Sequence, residues 1–312
     1  MSFPFLSDLV KAISGYDVPL PLPMFGIFVA IATLVAAGLL RREMARLHAA
    51  GRIGTVRTRV KAKDGTVTEV DVPPQDVVPD LTVVVMFAGI IGARVFHILE
   101  HTDQFMADPW SMILTRSGLS IFGGLIVGTL AGLVCVRRWK LPLRPLLDAV
   151  APAMMLGYGI GRIGCQVSGD GDWGSAANMA LKPDWLPTWL WAQTYDNNIF
   201  GEVIAAPGVY PAPIYETAMA LVCFAVLWKL RKHPFLTGWL FSVYLLLAGI
   251  ERLLIEQIRV NPVFHVGRFN ATQAEMIAVA LIALGIVGLA VLSRRMPAGA
   301  ASGPTSAVRP SR

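Results

Sequence analysis

Seven long apolar stretches constrain this 312-residue chain more than any other feature of its sequence. A helix needs about 20 mostly apolar residues to cross a bilayer, and each stretch is close to that length. The chain is 54% hydrophobic and only 15% charged, whereas soluble domains are about a quarter charged. We therefore predict an all-α integral membrane protein with seven transmembrane helices, at residues 24–40, 81–99, 118–136, 149–167, 213–230, 236–258 and 272–293.

The connections between these stretches differ strongly in charge. Those after the first, third, fifth and seventh stretches, with the C-terminal tail, contain 19 of the 27 Lys and Arg residues. Because basic connections stay in the cytoplasm, the N-terminus is predicted outside and the C-terminus inside. Contact of these loops with anionic lipid accounts for the net charge of +6, so no nucleic acid is expected as a partner.

The sequence predicts one membrane domain over residues 1–296 and a disordered tail over 297–312. Within the cytoplasmic loop 41–80, polar and β-branched residues alternate around an Asp-Gly turn, which predicts a small β-hairpin at 55–72. The outer loop 169–212 is rich in Trp and Tyr. It is predicted to form a short helix in the headgroup layer, or alternatively a small folded cap with its own aromatic core.

Three arginines, Arg94, Arg162 and Arg252, fall inside apolar stretches. A charge at membrane depth indicates a function unless the side chain reaches water from a helix end, and Arg94 is close enough to an end for either interpretation. Arg162 and Arg259 are both expected near the outer membrane surface. Two guanidinium groups there suit the phosphate of a lipid, because the planar fork matches its oxygen atoms.

The sixth stretch ends in ERLLIEQIR, a run of paired charges from Glu251 to Arg259. Arg252, Glu256 and Arg259 share one helical face. The pattern allows a purely structural ion pair. It also allows one arginine to be held by Glu256 while another is left free to bind an anion.

Six motifs in order resemble those of the bacterial prolipoprotein diacylglyceryl transferases. GRIGCQVSGD is similar to the family signature G-R-x-G-N-F-x-N-x-E, and the resemblance covers roughly residues 20–293. The others are GARVF at 92–96, IFGGLIVG at 121–128, YPAPIYE at 210–216, RLLIEQIR at 252–259 and ATQAEMI at 271–277. Seven spans with the N-terminus outside also agree with the family.

The resemblance implies an enzyme of the bacterial cytoplasmic membrane that needs no cofactor and no metal. Its substrates would be phosphatidylglycerol and a lipoprotein precursor with a lipobox cysteine. The cysteine thiol attacks the diacylglyceryl carbon, glycerol phosphate leaves and a thioether remains. Such an enzyme brings thiol and lipid together and stabilises charge on the departing phosphate.

By match of position, the resemblance assigns roles to individual residues. Arg162 and Arg259 would clamp the phosphate, Glu256 and Arg252 would set the local electrostatics, and Asp170 stands in place of the signature's Glu. The remaining motif residues would bind substrate: Arg94, Gly123, Gly124, Tyr215, Glu216 and Gln273.

Several positions depart from the family pattern. Phe122 replaces the histidine of the H-G-G motif, a candidate base for the thiol, and Cys165-Gln166 replace Asn-Phe. His97 and His101 lie four residues apart at the predicted outer end of the second span, and a neutral imidazole there could accept the thiol proton. The pattern is formally H-x-x-E-H, but no further zinc ligand is evident.

Three further possibilities follow from the sequence. Cys165 could accept the lipid first in a two-step reaction, although a small core residue fits its apolar context better. The intramembrane charges would also suit a transporter or flippase for an anionic lipid, although the chain has no internal repeat. Finally, the loss of the motif histidine at Phe122 would fit a catalytically inactive lipid-binding relative.

Overall fold

The computed structural model describes residues 2–19, 22–61, 67–114, 120–266 and 269–294, and the fold is mostly helical. The described residues form two compact units, one of residues up to 39 with 147–294 and one of residues 40–146. The single membrane domain over 1–296 stays a prediction.

The helices and strands of the described residues are, in chain order, α1 Leu6–Ser14, α2 Met24–Ala49, β1 Val56–Lys61, β2 Val67–Val72, α3 Val78–Glu100, α4 Thr102–Ala107, α5 Pro109–Leu114, α6 Ile121–Arg138, α7 Leu143–Ser168, α8 Ala212–Leu230, α9 Trp239–Glu256, β3 Val263–Val266, β4 Phe269–Thr272 and α10 Gln273–Leu292.

Six helices of the described chain, α2, α3, α6, α7, α8 and α10, are long and apolar enough to cross a membrane by length and composition. The sixth predicted stretch corresponds to α9, an 18-residue helix that carries Glu251, Arg252 and Glu256. Helix α2 continues to Ala49 and α7 starts at Leu143, beyond the predicted apolar limits. Hydropathy marks where lipid contact ends, whereas charged residues continue the helix past that point.

Glycines set the close approach of helices within each unit. In the second unit, α3 and α6 cross where Gly92 faces Gly123, and a Cβ atom on either would overlap the other's carbonyl oxygen. In the first unit, α9 and α10 also approach closely, since Gly249 faces Ala278 and Ile282 of α10 and Gly285 faces Leu246 and Ser242 of α9. Such contacts let backbones pack closely where lipid supplies no hydrophobic driving force.

Helix α7 approaches two other helices of the first unit through glycines. Its Gly159 faces Ala220 of α8, and its Gly164 faces Phe28 of α2. Near its start, Asp148 caps α9, because its carboxylate accepts hydrogen bonds from the backbone N–H groups of Gly238 (2.7 Å) and Phe241 (3.0 Å). A carboxylate at this position complements the positive end of the α9 dipole.

In the second unit, β1 and β2 pair antiparallel with Val56 opposite Val72. The Asp-Gly turn predicted between them lies outside the described residues, as does the predicted disordered tail 297–312. The pairing of β3 with β4 had no prediction, because these strands have only four residues each.

The 169–212 loop folds around its aromatic residues. It contains two short 3₁₀ turns, Met179–Leu181 and Thr188–Leu190, and no α-helix, so the prediction of a surface helix is wrong. Tyr195 is 2% exposed and its ring centroid lies 5.1 Å from that of Trp173. This contact agrees with the alternative of a small folded cap for the part of the loop around Tyr195, whereas Trp185 and Trp189 are exposed.

Candidate functional site

Two arginines, one within α7 and one just after α9, converge on one carboxylate. Arg162 lies two turns before the end of α7, and Arg259 follows α9 by three residues. Arg259 Nη2 donates to Asp172 Oδ1 at 2.6 Å, and Arg162 Nη1 donates to Asp172 Oδ2. The structure thus brings together the two arginines that the sequence singled out. It also shows that Arg259 is not free, so the hypothesis of an unpaired second arginine is wrong for Arg259.

Glu216, near the start of α8, lies behind these arginines and is completely buried. Its carboxylate is 3.2 Å from Arg162 Nε and 3.7 Å from one terminal nitrogen each of Arg252 and Arg259. A buried charge is tolerated only when it is paired. Glu216 therefore holds three guanidinium groups in one cluster. The substrate contact that the resemblance implied for it stays a prediction.

Tyr158 joins this cluster to a second buried carboxylate. Its hydroxyl lies 3.1 Å from Glu216 Oε1 and 3.1 Å from Glu251 Oε1. The Arg162 guanidinium lies 5.1 Å from the centre of its ring, a cation–π distance. Sequence reasoning missed Tyr158, although its position four residues before Arg162 on α7 places both on one helical face.

Glu256 fixes the end of α9 to the start of α10. It pairs with Arg252 at 3.0 Å, as the sequence predicted, and accepts hydrogen bonds from Thr272 Oγ1 (2.6 Å) and Asn261 Nδ2 (2.7 Å). The neighbouring Gln273 is exposed and begins α10. No prediction was made for Thr272, yet it is the residue of the ATQAEMI motif that contacts Glu256.

The 169–212 loop supplies Asp170 and Asp172. Burial raises the pKa of Asp170. Burial acts in the same direction on Asp172, but the guanidinium groups of Arg162 and Arg259 outweigh it and lower the pKa of that carboxyl. Burial opposes the charge of Arg259, yet its contact with Asp172 raises the pKa of the guanidinium. Asp172 is thus the more strongly ionised carboxylate of the two.

Cys165, Asp170 and Asp172 each offer a ligand atom within 4.8 Å of the others, close enough to hold a metal ion. The chemistry of the surroundings opposes this, because Arg162 and Arg259 already place two positive charges on Asp172. A metal ion would therefore have to compete with both arginines for Asp172. The absence of a metal and of a cofactor stays a prediction.

The same loop is tied to α8 through Tyr215. Its hydroxyl donates to the carbonyl oxygen of Leu190 at 2.5 Å. The structure thus gives this predicted substrate-binding residue a contact that positions the loop.

The other predicted site residues lie in the second unit, described by itself. Arg94 Nη1 donates to the carbonyl oxygen of Met112 at 3.2 Å. Gly123 and Gly124 face the backbone of α3, Gly123 at Gly92 and Gly124 at Gly89. These contacts explain why the positions are glycine by packing alone, and their roles in substrate binding stay predictions.

His97 and His101 pack together at the end of α3, with ring centroids 4.4 Å apart. Together with Glu100 they offer three ligand atoms within 4.8 Å of one another. Among the described residues this is the second such group, and the role of its histidines as proton acceptors stays a prediction.

The fold and the site define a class of protein: a helical membrane protein that contains a buried arginine–carboxylate cluster. The chain belongs to the prolipoprotein diacylglyceryl transferase family, since the family's sequence model matches residues 14–291.

The chain is 32% identical to the phosphatidylglycerol–prolipoprotein diacylglyceryl transferase of Corynebacterium glutamicum over 205 residues, which is 62% of either chain. It is 31% identical to the enzyme of that name from Xanthomonas campestris over 231 residues, 70% of this chain and 76% of the relative. The enzyme of that name from Bacillus cytotoxicus is 27% identical over 219 residues, 70% of this chain and 77% of the relative. The chain thus spans 62% of the length of the corynebacterial relative.

Proposed function

We propose that the chain transfers a diacylglyceryl group from phosphatidylglycerol to the thiol of a lipobox cysteine in a lipoprotein precursor. One C–S bond forms between the thiol and the glyceryl carbon, and the bond from that carbon to a phosphate oxygen breaks. Glycerol phosphate leaves with the electron pair, and a base takes the thiol proton. Family membership and the names of the relatives support this reaction.

The observation that carries the proposal is the sharing of Asp172 by Arg162 and Arg259. Two guanidinium groups aimed at one anion form a preorganised site for the charge that develops on a departing phosphate. The Asp172 carboxylate occupies the position where the lipid phosphate is proposed to bind. On binding, the phosphate takes the place of this carboxylate at the two arginines. Arg252, held by Glu216 and Glu256, adds to the positive field of the site.

Asp170 is the proposed proton acceptor for the thiol. Burial raises the pKa of this carboxyl, and a higher pKa makes a carboxylate a better base. It lies beside Asp172, whose backbone N–H is 3.4 Å from Asp170 Oδ1. His97 and His101 remain the alternative pair for this role.

The proposed setting is the bacterial cytoplasmic membrane, with seven spans, the N-terminus outside and the C-terminus inside. In this arrangement α9 is the sixth span in chain order and brings the total from six to seven. Its carboxylates are compatible with membrane depth because Glu251 lies at the Tyr158 hydroxyl and Glu256 pairs with Arg252. The basic connections support the orientation.

The test is to incubate the purified protein in detergent with phosphatidylglycerol and a lipobox peptide, and to detect a diacylglyceryl adduct on the peptide by mass spectrometry. We expect an adduct with the unmodified protein, none with Arg162→Ala, and a strongly reduced yield with Asp170→Asn. An adduct on Cys165 would instead support the two-step scheme. No adduct beside an active control enzyme, with lipid binding retained, would replace the transferase by a lipid-binding protein.

A further inference from the structure

A pocket of about 600 Å³ lies between the 169–212 loop and the neighbouring ends of α7 and α8. None of the described residues that line it is charged. They are Gln166 of α7, Ile214 of α8, and Trp189, Ala192, Gln193, Thr194 and Pro207 of the loop. The pocket therefore fits a neutral ligand, in contrast to the arginine cluster.

A chain of hydrogen bonds fixes the two glutamines of the pocket. The Tyr195 hydroxyl donates to Gln166 Oε1 at 2.7 Å, Gln166 Nε2 donates to Gln193 Oε1 at 2.8 Å, and Gln193 Nε2 donates to the carbonyl oxygen of Trp189 at 2.7 Å. An amide side chain has two N–H donors and two acceptor lone pairs. Each glutamine thus keeps one donor and one acceptor for a ligand, which is the hydrogen-bonding pattern of a peptide group.

The wall of the pocket is held in place by its backbone. Gln193 and Val209 exchange two backbone hydrogen bonds, of 3.0 and 2.9 Å. Gly208 lies in the sequence between Val209 and the pocket residue Pro207. It has a φ of +108°, and a Cβ atom at this position would overlap the Gln193 backbone. The polar groups of the pocket are therefore set before any ligand binds, which lowers the entropy lost on binding.

The pocket adjoins the proposed reaction site. Gln166 follows Arg162 by four residues on α7, and Ile214 precedes Glu216 by two residues on α8. Four residues along a helix rise about 6 Å. A ligand in the pocket is thus about one helical turn from the guanidinium that contacts Asp172.

We propose that this pocket binds the uncharged peptide segment beside the acceptor cysteine of the precursor, in an extended conformation. The inference rests on the proposed function. The volume lies in the range of pockets that hold drug-sized ligands and exceeds what a three-carbon head group fills. The glutamine amides pair with peptide groups, and Trp189, 59% exposed, offers an apolar face to a side chain.

The test measures peptide binding without chemistry. A fluorescent lipobox peptide, with serine in place of its acceptor cysteine, is titrated with the full-length protein in detergent and followed by anisotropy. Trp189→Ala should raise the Kd for the peptide about tenfold, because tryptophans that become buried on binding dominate such interfaces. The matched control is Trp185→Ala: Trp185 belongs to the same loop, is 81% exposed and does not line the pocket. It should leave the Kd unchanged.

A second variant protects the test against misfolding. Thr194→Val keeps the volume but removes one hydroxyl, so the Kd should rise about threefold. Equal Kd values for Trp189→Ala and Trp185→Ala, with Thr194→Val unchanged, would overturn the pocket assignment. The pocket assignment would also be overturned if Trp189→Ala and Thr194→Val bound the peptide normally but bound phosphatidylglycerol vesicles more weakly than the unmodified protein. That result would assign the pocket to a lipid head group.

The same experiment separates the pocket from the transferase reaction. Peptide binding that depends on Trp189, in a protein that forms no adduct, would uphold the pocket and reject the proposed function. If the unmodified protein forms the adduct but the Trp189 and Thr194 variants bind the peptide with unchanged Kd, the proposed function is upheld and the pocket assignment is rejected.

Discussion

At the scale of single residues, the site depends on how Arg162 presents its guanidinium group. One terminal nitrogen contacts Asp172, Nε faces Glu216 at 3.2 Å, and the plane lies beside the Tyr158 ring. These three contacts use two edges and one face of a planar group. A lysine ammonium is a single point charge and cannot make them together.

We therefore expect Arg162→Lys to lower kcat/KM for diacylglyceryl transfer about 10²- to 10³-fold, the usual effect of removing one preorganised donor. The measurement is adduct yield against time at several lipid concentrations. Arg57→Lys is the control, because Arg57 pairs with Asp71 at the exposed surface of the hairpin strands and should keep full activity. Full activity of Arg162→Lys would refute the phosphate clamp.

Asp172 gives a prediction for stability against pH. Its pKa is lowered below the ordinary value of 3.8, so its ion pairs stabilise the folded state fully above that value and are lost as pH falls through the lower, folded pKa. The difference in unfolding temperature between the unmodified protein and Asp172→Asn should therefore be constant from about pH 8 to pH 5 and shrink below about pH 4.

Differential scanning fluorimetry in detergent would measure this difference. Asp184→Asn, at an exposed position of the same loop, should show no such pH dependence. A difference that already vanishes at pH 6 would mean that Asp172 is not held as a carboxylate by the arginines.

Sequence reasoning identified the arginines of the site but not their partner. Arg162 and Arg259 stand out because charge is rare in apolar stretches. Asp172 lies in a polar loop where an acid is ordinary, and only the path of the chain brings it back to α7. That path depends on Gly169 and Gly171, whose φ angles of +60° and +89° are left-handed. A single sequence does not reveal such a turn.

At the scale of elements, hydropathy located the long helices and the glycines explain their crossings. The ends of α2 and α7 were predicted less well, because a helix continues into water while its hydropathy falls. Strands β3 and β4 were missed because four-residue strands have too short a pattern to recognise.

The α3–α6 crossing gives a direct test at this scale. A Cβ atom at Gly123 would lie closer than van der Waals contact to the Gly92 carbonyl oxygen and to Phe96, so Gly123→Ala should destabilise the protein by about 1–3 kcal/mol. At Gly38 of α2 no atom lies within 4 Å of an added Cβ, and Gly38→Ala should be neutral or stabilising by up to about 1 kcal/mol.

Thermal unfolding in detergent measures both variants. An unchanged unfolding temperature for Gly123→Ala would mean that the helices separate easily at this crossing. Loss of transfer activity without loss of stability would favour the substrate-binding role that the resemblance implied for Gly123.

At the scale of the whole molecule, the status of α9 decides the topology. It carries three charged residues in 18, and six other helices of the described chain are apolar enough to span. If α9 spans as proposed, residues 231 and 260 lie on opposite sides of the membrane.

Alkaline phosphatase fused after residue 260 should therefore be active, and the same enzyme fused after residue 231 should be inactive. Green fluorescent protein at these two positions should give the opposite pattern, as an internal control. Equal phosphatase activity at both positions would place α9 on one side of the membrane and leave six spans.

The carboxylate of Asp172, divided between two guanidinium groups, also defines a starting point for inhibitors. Its two oxygen atoms show that a single carboxylate can contact both arginines. A compound that carries a single carboxylate on an apolar scaffold should therefore compete with the lipid for these arginines. Because such a compound has only one charge to desolvate, it would enter the membrane more easily than a phosphate monoester, whose charge is about −2.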